Sequence, residues 1–576
     1  MLIVSNEKSN ISQGDFRFID LVLNKKHFYR IMTMLILIIS MARAYYNFER
    51  TAISFDELQH ITTGIELIEN GTYELEALHP PFARLVAAIP LYLFKGVRLG
   101  DEFYSNYCPL SGDKDYLKEY EGRLIGGQTI FCGSPEKNLP LSEHIERVKL
   151  ARCSSLLFFF ICGIGVYCWC IRFFSHNVAL LSVLLYANLP IVLASCVIIN
   201  TDMAGAAFLI WSLYFLLIWL REPTIGNSLI LGICIGLTAS SKFSDIIFFA
   251  PCFAIAALYL KSINNKLTIG LELSYWKRRL IILCVSCIII WVMYRLSVGE
   301  IYGFKILPFP EFVLGLSELI ARNNISFLGY IWGKPLFFSG VWYFFPVATF
   351  FKLPLSFLML FICGLVVSVQ LKRFHVVLIL LFIASIYFIG AISNINIGLR
   401  HMLPAIVLMC IVAAYFIDYF IMSYRHFMAK PVMMTLMGSF IYSSVISDAD
   451  YISYFNILAG DTPEDILIEG DFDIGQDIKA LSEYLKSNAL IDKTMFYSYN
   501  LVHQECYGFH AGNHRMFFGE KISDFVVTFG SHRYLAISKA VMKFLDKSAY
   551  ASIADCCNTV AIGRTILLYD KEAVCN

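Results

Sequence analysis

The chain has 576 residues, of which 57% are hydrophobic and 16% charged, with a mean hydropathy of +0.63. An ordinary soluble domain carries about 25% charged residues, so the composition excludes a chain that lives wholly in water. A formal net charge of +1 provides no basic footprint, and no nucleic-acid partner is expected.

Residues 1–30 are polar and lack the small-residue cleavage site of a signal peptide, so the first apolar run is expected to stay as a signal anchor. Crossing a bilayer takes about 17–25 apolar helical residues. Such runs predict eleven spans, at 31–48, 153–172, 178–198, 203–220, 227–244, 246–260, 280–298, 345–370, 374–393, 403–422 and 431–447. Short cytoplasmic loops carry excess Lys and Arg. Lys25, Lys26 and Arg30, the 261–279 loop with Lys277, Arg278 and Arg279, Lys372 with Arg373, and Arg425 with Lys430 all fall on one side under this count. Loops 49–152 and 299–344 and the segment 448–576 then share the non-cytoplasmic side. The chain divides into a cytoplasmic tail (1–30), a membrane domain (31–447) that includes the 49–152 loop, and a far-side domain (448–576).

The 49–152 loop is more than a linker. Leu58–Glu69 and Phe82–Val97 have helical apolar spacing and are expected to lie along the membrane interface. The polar stretch 100–146 holds Cys108 and Cys132, which an oxidising compartment would allow to pair, with connectivity left open. Cys162, Cys168, Cys170, Cys234, Cys284 and Cys287 sit in apolar runs and act as small apolar residues; no structural zinc is expected. After 448 charge returns. Alternation in Phe525–Phe529 and Thr565–Tyr569 predicts strands of a small soluble α/β domain.

Polar residues able to do chemistry collect at the far-side ends of the spans. Asp56 and Glu57 follow the first span, with His60 and the turn His79-Pro80-Pro81 soon after. Arg152 opens the second span, and Asn200, Thr201 and Asp202 join the third and fourth. Lys242 ends the fifth, Lys334 and Lys352 flank the eighth, and Asn396, Arg400 and His401 join the ninth and tenth. Singly, each has a plainer reading. Asp202 suits a helix N-cap, Lys242 and Lys352 suit cations reaching for headgroups, and His79 suits a helix end before proline. His401 suits an interfacial histidine, and Asn70-Gly-Thr and Asn324-Ile-Ser suit chance sequons. Together, carboxylates and fixed cations on one face suit acid–base work on an anionic substrate.

These stretches also carry a family resemblance. FDELQHITTG and NGTYELEALHPPFARLVAAIP are followed in order by RVKLAR, NTDMAGAAF, GLTASSKFSDIIFFAP, SGVWYFFPVATFFKLPL and NINIGLRHMLPAIVLM, and in the tail by YFNILAG and DFDIGQDIKALSEYL. The set resembles the GT-C membrane glycosyltransferases. The branch it resembles is that of the protein O-mannosyltransferases and their bacterial relatives, which are phospholipid-carrier-dependent and akin to the lipid A aminoarabinose transferases. Ile474 stands where the D-W-G-Q-D pattern has Trp, and His79 stands where the aminoarabinose transferases have Lys before Pro-Pro.

The resemblance implies an α-helical polytopic membrane fold of the GT-C type with a small α/β C-terminal domain. It implies one-step, inverting transfer of a sugar from a dolichyl- or undecaprenyl-phosphate donor to a hydroxyl on a protein, lipid or glycan acceptor, in contact with membrane lipid. Asp56 would be the general base. Glu57 and Asp202 would orient the acceptor or hold Mg2+ or Mn2+. Arg400, with Lys242 or Lys352, would face the lipid phosphate, and His79, Arg152 and His401 would bind substrate. The site would face the periplasm from a bacterial inner membrane, or the lumen from the ER. Two alternatives stay open. A flippase for lipid-linked sugars would show mid-span charges and two related halves, and a non-catalytic scaffold would lose the acidic pair.

Overall fold

The computed structural model describes residues 25–107, 116–134, 137–263, 271–301, 304–324, 329–336, 340–423, 429–447, 450–468, 470–499, 504–509, 514–516, 531–545 and 559–572. Cys108 and the Phe525–Phe529 alternation lie outside them. Each expected span meets a helix or a helix pair: Lys25–Asn47, Leu141–Phe173, His176–Asn188 with Pro190–Val197, Asp202–Arg221, Ile225–Ser241, Phe243–Ile263, Trp276–Met293, Phe344–Lys352 with Leu355–Gln370, Phe374–Ile392, Leu403–Ser423 and Ala429–Ile446. Among the described residues, six helices are long and apolar enough to cross a membrane, and the two pairs raise the number to eight if each is one span. Large side chains such as Trp169, Trp219 and Tyr186 are fully buried between these helices.

Two expected spans are corrected. The run 178–198 bends by 58° at Leu189-Pro190, and the run 345–370 turns by 119° at Leu353-Pro354. Proline cannot donate to the preceding turn and pushes the residue before it into extended backbone. Leu189 (φ −70°, ψ 126°) and Leu353 (φ −101°, ψ 145°) are both extended. Phe344–Lys352 has nine residues, about 14 Å of helix, too short to cross by itself.

The 49–152 loop also departs from expectation. Ser54 starts the helix Phe55–Glu69 through a reciprocal cap: its side chain accepts from the Glu57 N–H at 3.4 Å, and the Glu57 carboxylate accepts from the Ser54 N–H at 2.8 Å. This helix does not lie on an interface, because every residue from Glu57 to Leu67 except Gln59 is buried. Helices Pro81–Phe94 and Tyr116–Cys132 close over it. At Gly64 a Cβ would sit 2.7 Å from the Arg84 carbonyl oxygen, so only glycine admits that approach.

The tail forms the expected α/β unit. A five-stranded sheet runs Thr559–Ile562, Ile566–Asp570, Tyr534–Ser538, Thr494–Ser498, His514–Met516; its first three strands are antiparallel, and the pairings of Thr494–Ser498 are parallel. Period-two alternation sends Leu535 and Ile537 to the face covered by helix Lys539–Phe544, and Ala536 to the face covered by helix Ile478–Ser487. The tail is bound closely to the first loop. The Ala52 N–H donates to the Gln476 carbonyl at 3.0 Å, the Ile53 N–H donates to the Tyr507 hydroxyl at 2.9 Å, and Cys132 is disulfide-bonded to Cys506. The partner of Cys132 is therefore not Cys108. Docking of the tail brings together cysteines 374 residues apart.

Candidate active site

The N-terminus of helix Phe55–Glu69 separates the two acids. Glu57 turns into the core, where Arg152 Nε and Nη2 donate to its two oxygens at 2.8 Å each and the Ile199 N–H donates at 3.0 Å. The remaining Arg152 donors reach the Phe48 carbonyl, Thr51 Oγ1 and the Ala52 carbonyl at 2.8, 2.8 and 3.0 Å. Both side chains are 0% exposed. With every oxygen and donor in use, neither is free for acceptor, metal or phosphate. This corrects the expected roles of Glu57 and Arg152, which clamp the start of the helix instead.

Asp56 turns the other way, into a cavity of about 610 Å3, with its side chain 41% exposed. Arg400 Nη2 donates to its Oδ2 at 2.9 Å. Arg400 lies buried in the short turn Leu399–Met402, with Nε 3.3 Å from Asp471 Oδ1 and 3.8 Å from Asp202 Oδ2. Its backbone N–H donates to Asp471 Oδ2 at 2.9 Å. Gly398 permits this seat, since a Cβ there would lie 2.6 Å from Asp471 Oδ2.

Asp202 is not the cap of its helix. Asn200 Oδ1 accepts the N–H groups of Asp202 and Met203 at 3.0 and 3.2 Å, which frees the Asp202 carboxylate to pair with Lys242. His401 Nδ1 lies 3.4 Å from Lys242 Nζ. Both Asp202 oxygens thus face cations, and Glu57 is spent on Arg152. The pair does not fit a divalent-metal site. Among the described residues no group of three or more His, Cys, Asp or Glu side chains is placed to hold a metal.

Lys352 is the other correction. The break at Leu353-Pro354 turns it inward, where its ammonium donates to the Ile452 and Asp471 carbonyls at 3.2 and 2.9 Å and sits 4.8 Å from the Phe455 ring centroid. It does not line the cavity around Asp56; it holds the segment that carries Asp471.

The second cavity, of about 410 Å3, has a largely apolar wall that includes Phe243, Ile247, Phe248, Phe345 and Ile389. The two cavities share Leu78, His79, Lys242, Arg322, Ile397 and His401. His79 is held from behind by Glu76, whose oxygens lie 3.1 and 3.2 Å from its Nδ1, and Glu76 is paired with Arg84. Burial pushes His79 down to about 4, against the partial opposition of Asp56. Burial, reinforced by Arg84, also holds His60 well below the ordinary histidine range.

Residues 147–299 match the family of dolichyl-phosphate-mannose-protein mannosyltransferases. The resemblance read from the sequence is borne out over that stretch. No curated protein is significantly similar to the chain in sequence. Among solved structures, the chain is similar to ArnT from Cupriavidus metallidurans bound to undecaprenyl phosphate, at 11% identity, covering 94% of this chain and 99% of that one, with a TM-score of 0.47. It is also similar to the Archaeoglobus fulgidus oligosaccharyltransferase tethered with an acceptor peptide containing the NVT sequon, at 10% identity, covering 88% and 69%, with a TM-score of 0.48.

Asp56, His79, Asp202, Lys242, Arg400 and His401 all line the one polar cavity. The sequence reading does not include Asp471, Glu76, Arg322 or Tyr499 among its candidate residues. Asp471 opens the DFDIGQD motif and Glu76 stands three residues before His79, signals that were present. Arg322, at the end of the amphipathic helix Pro310–Arg322, and Tyr499, beyond a tail strand, reach the cavity only through packing.

Proposed function

We propose that the chain is a GT-C-type membrane glycosyltransferase that moves a sugar from a polyprenyl-phosphate donor to an acceptor hydroxyl at the non-cytoplasmic face. The observation that carries this reading is the seam between the cavities. An amphiphile lying with its chain in the apolar cavity and its head in the polar one sets its phosphate beside Lys242, His79 and Arg322 and its sugar toward Asp56. The family match over 147–299 supports the same reading, and the Cys132–Cys506 bond supports a face in an oxidising compartment.

In this reading the acceptor oxygen attacks C1 as the C1–O bond to phosphate breaks, and the departing electron pair stays on the phosphate oxygen. Asp56 takes the acceptor proton. Arg400 is enclosed by Asp56, Asp202 and Asp471, so its charge is used to hold Asp56 rather than to meet substrate. The growing phosphate charge falls instead to Lys242 and Arg322. Arg322 is exposed and has no ion pair among the described residues, which leaves its charge free for an incoming anion.

The test is transfer in purified membranes supplied with a panel of polyprenyl-phosphate sugars, comparing wild type with Asp56→Asn at matched expression. One donor is consumed by wild type, and the variant loses about a hundredfold or more, the size of a lost general base. Equal turnover in the variant retires Asp56 as the base. Passage of lipid-linked sugar across the bilayer with no donor consumed makes the protein a flippase.

A further inference from the structure

Arg400 faces more negative charge than one cation needs. Its Nη2 donates to Asp56 at 2.9 Å, and its Nε lies 3.3 Å from Asp471 and 3.8 Å from Asp202. Asp202 has a cation of its own in Lys242. Asp56 and Asp471 therefore share one guanidinium, and they do so from different places. The Asp56 side chain is 41% exposed and lines the polar cavity, whereas that of Asp471 is 6% exposed and does not line it.

Fastening the tail here does not require the Asp471 charge. The Gly470 N–H donates to the Ile397 carbonyl at 2.5 Å, Lys352 donates to the Asp471 carbonyl at 2.9 Å, and Ser453 Oγ donates to the Phe472 carbonyl at 2.8 Å. These bonds to main-chain groups already hold residues 470–472. The Arg400 N–H needs an acceptor, which Asp471 Oδ2 supplies at 2.9 Å, but a neutral amide oxygen would serve as well. What an amide cannot supply is a negative charge 3.3 Å from the guanidinium, in buried surroundings where charges act more strongly than in water.

We propose that Asp471 is a positioning residue that tunes Asp56 as the general base, by drawing on the charge of Arg400 from outside the cavity. The proposal rests on the glycosyltransferase reading of the site. A guanidinium bonded to a carboxylate favours its ionised form and makes it a reluctant proton acceptor. A second carboxylate on the same guanidinium offsets that effect and leaves the first more ready to take the acceptor proton. The other acids near Asp56 have cations of their own. Glu57 on the same helix is matched by Arg152, Glu76 by Arg84, and Asp202 by Lys242. Arg123, on helix Tyr116–Cys132, and Arg322 line the cavity with no carboxylate partner among the described residues, and they act in the same sense as Arg400. The rings of His60, His79 and His401 and the phenols of Tyr120 and Tyr499 complete the wall and add no negative charge. The counterweight to Arg400 is therefore Asp471, which the tail brings to the site.

The experiment is the pH–rate profile of transfer between about pH 4.5 and 8.5, in purified membranes holding the full-length protein, for wild type, Asp471→Asn and Asp471→Ser. The donor is the one that wild type consumes from a panel of polyprenyl-phosphate sugars. The shape of such a profile does not depend on how much folded enzyme survives. Wild-type turnover falls on the acid side as Asp56 becomes protonated. In the variants this acid limb moves down by about one pH unit, and turnover on the plateau falls severalfold as the base weakens. The KM for donor stays within about twofold, because Asp471 does not reach the cavity. Adding Asp471→Asn to Asp56→Asn changes neither the shape nor the height of the residual profile. An acid limb at the wild-type position in both variants overturns the inference, leaves Asp471 with a structural role alone, and leaves the reading of the site standing. Loss of all turnover in both variants, or their failure to fold in thermal melts, overturns it likewise. No consumption of any donor by wild type overturns both.

Discussion

A helix rotates about 100° per residue, so the neighbours Asp56 and Glu57 face opposite environments. One lines a cavity beside Arg400; the other is sealed against Arg152. Their chemistry is identical in the sequence, and only the direction of the helix axis tells them apart. The same holds for the tail acids. Burial, with Asp450 nearby, raises Asp477 to about 7, and burial raises Asp473 to about 6, from an ordinary value near 3.8 in the unfolded chain. Between these limits the folded state binds more protons than the unfolded one, so stability falls as pH rises. The two groups' contribution is fully present below about pH 4 and is lost as pH climbs to about 7. Thermal melts across that window should show a negative slope. Asp477→Asn should make it shallower, because an amide oxygen can still accept from the Arg564 N–H, the Thr565 N–H and Thr565 Oγ1.

At the scale of elements, helix existence was legible because apolar runs of sufficient length have one solution in a bilayer. The breaks at Pro190 and Pro354 were readable from proline chemistry, but their angles were set by the packing of the flanking helices. The Glu57–Arg152 clamp belongs to this scale, since it ties helix Phe55–Glu69 to helix Leu141–Phe173 and to the carbonyls of Phe48 and Ala52. Removing one partner of a fully buried pair strands the other charge and costs about 3–5 kcal/mol. Arg152→Met should lower the melting temperature of the solubilised protein sharply. The double variant with Glu57→Gln should recover part of the loss, which a catalytic role for Glu57 does not predict.

At the scale of the whole molecule, the tail is part of the site rather than an appendage. Tyr499 lines the cavity, Asp471 holds Arg400, Tyr507 fastens Ile53 in the segment leading to Asp56, and its neighbour Cys506 is bonded to Cys132 at the end of helix Tyr116–Cys132. A disulfide is typically worth about 2–4 kcal/mol. Cys506→Ser should therefore lower thermal stability and remove the mobility difference between reduced and unreduced protein on a gel. Transfer should fall further than stability explains, because the N-cap at Ser54 is one residue from the fastened Ile53. If the variant melts and turns over like wild type, the strap has no functional weight.

The amino-acid sequence by itself determined a multi-helix membrane protein with an α/β tail, a set of polar residues at one end of the spans, and a family resemblance. These are consequences of hydrophobic length, strand alternation and short motifs, all of which are local. Tertiary structure alone decided which charges cancel. Lys352, Arg152 and Glu57 are spent on structure, whereas Arg322 is left unpaired among the described residues at the seam. Tertiary structure also paired Cys132 with Cys506. Pairing depends on distances between segments hundreds of residues apart, and no local pattern encodes those distances.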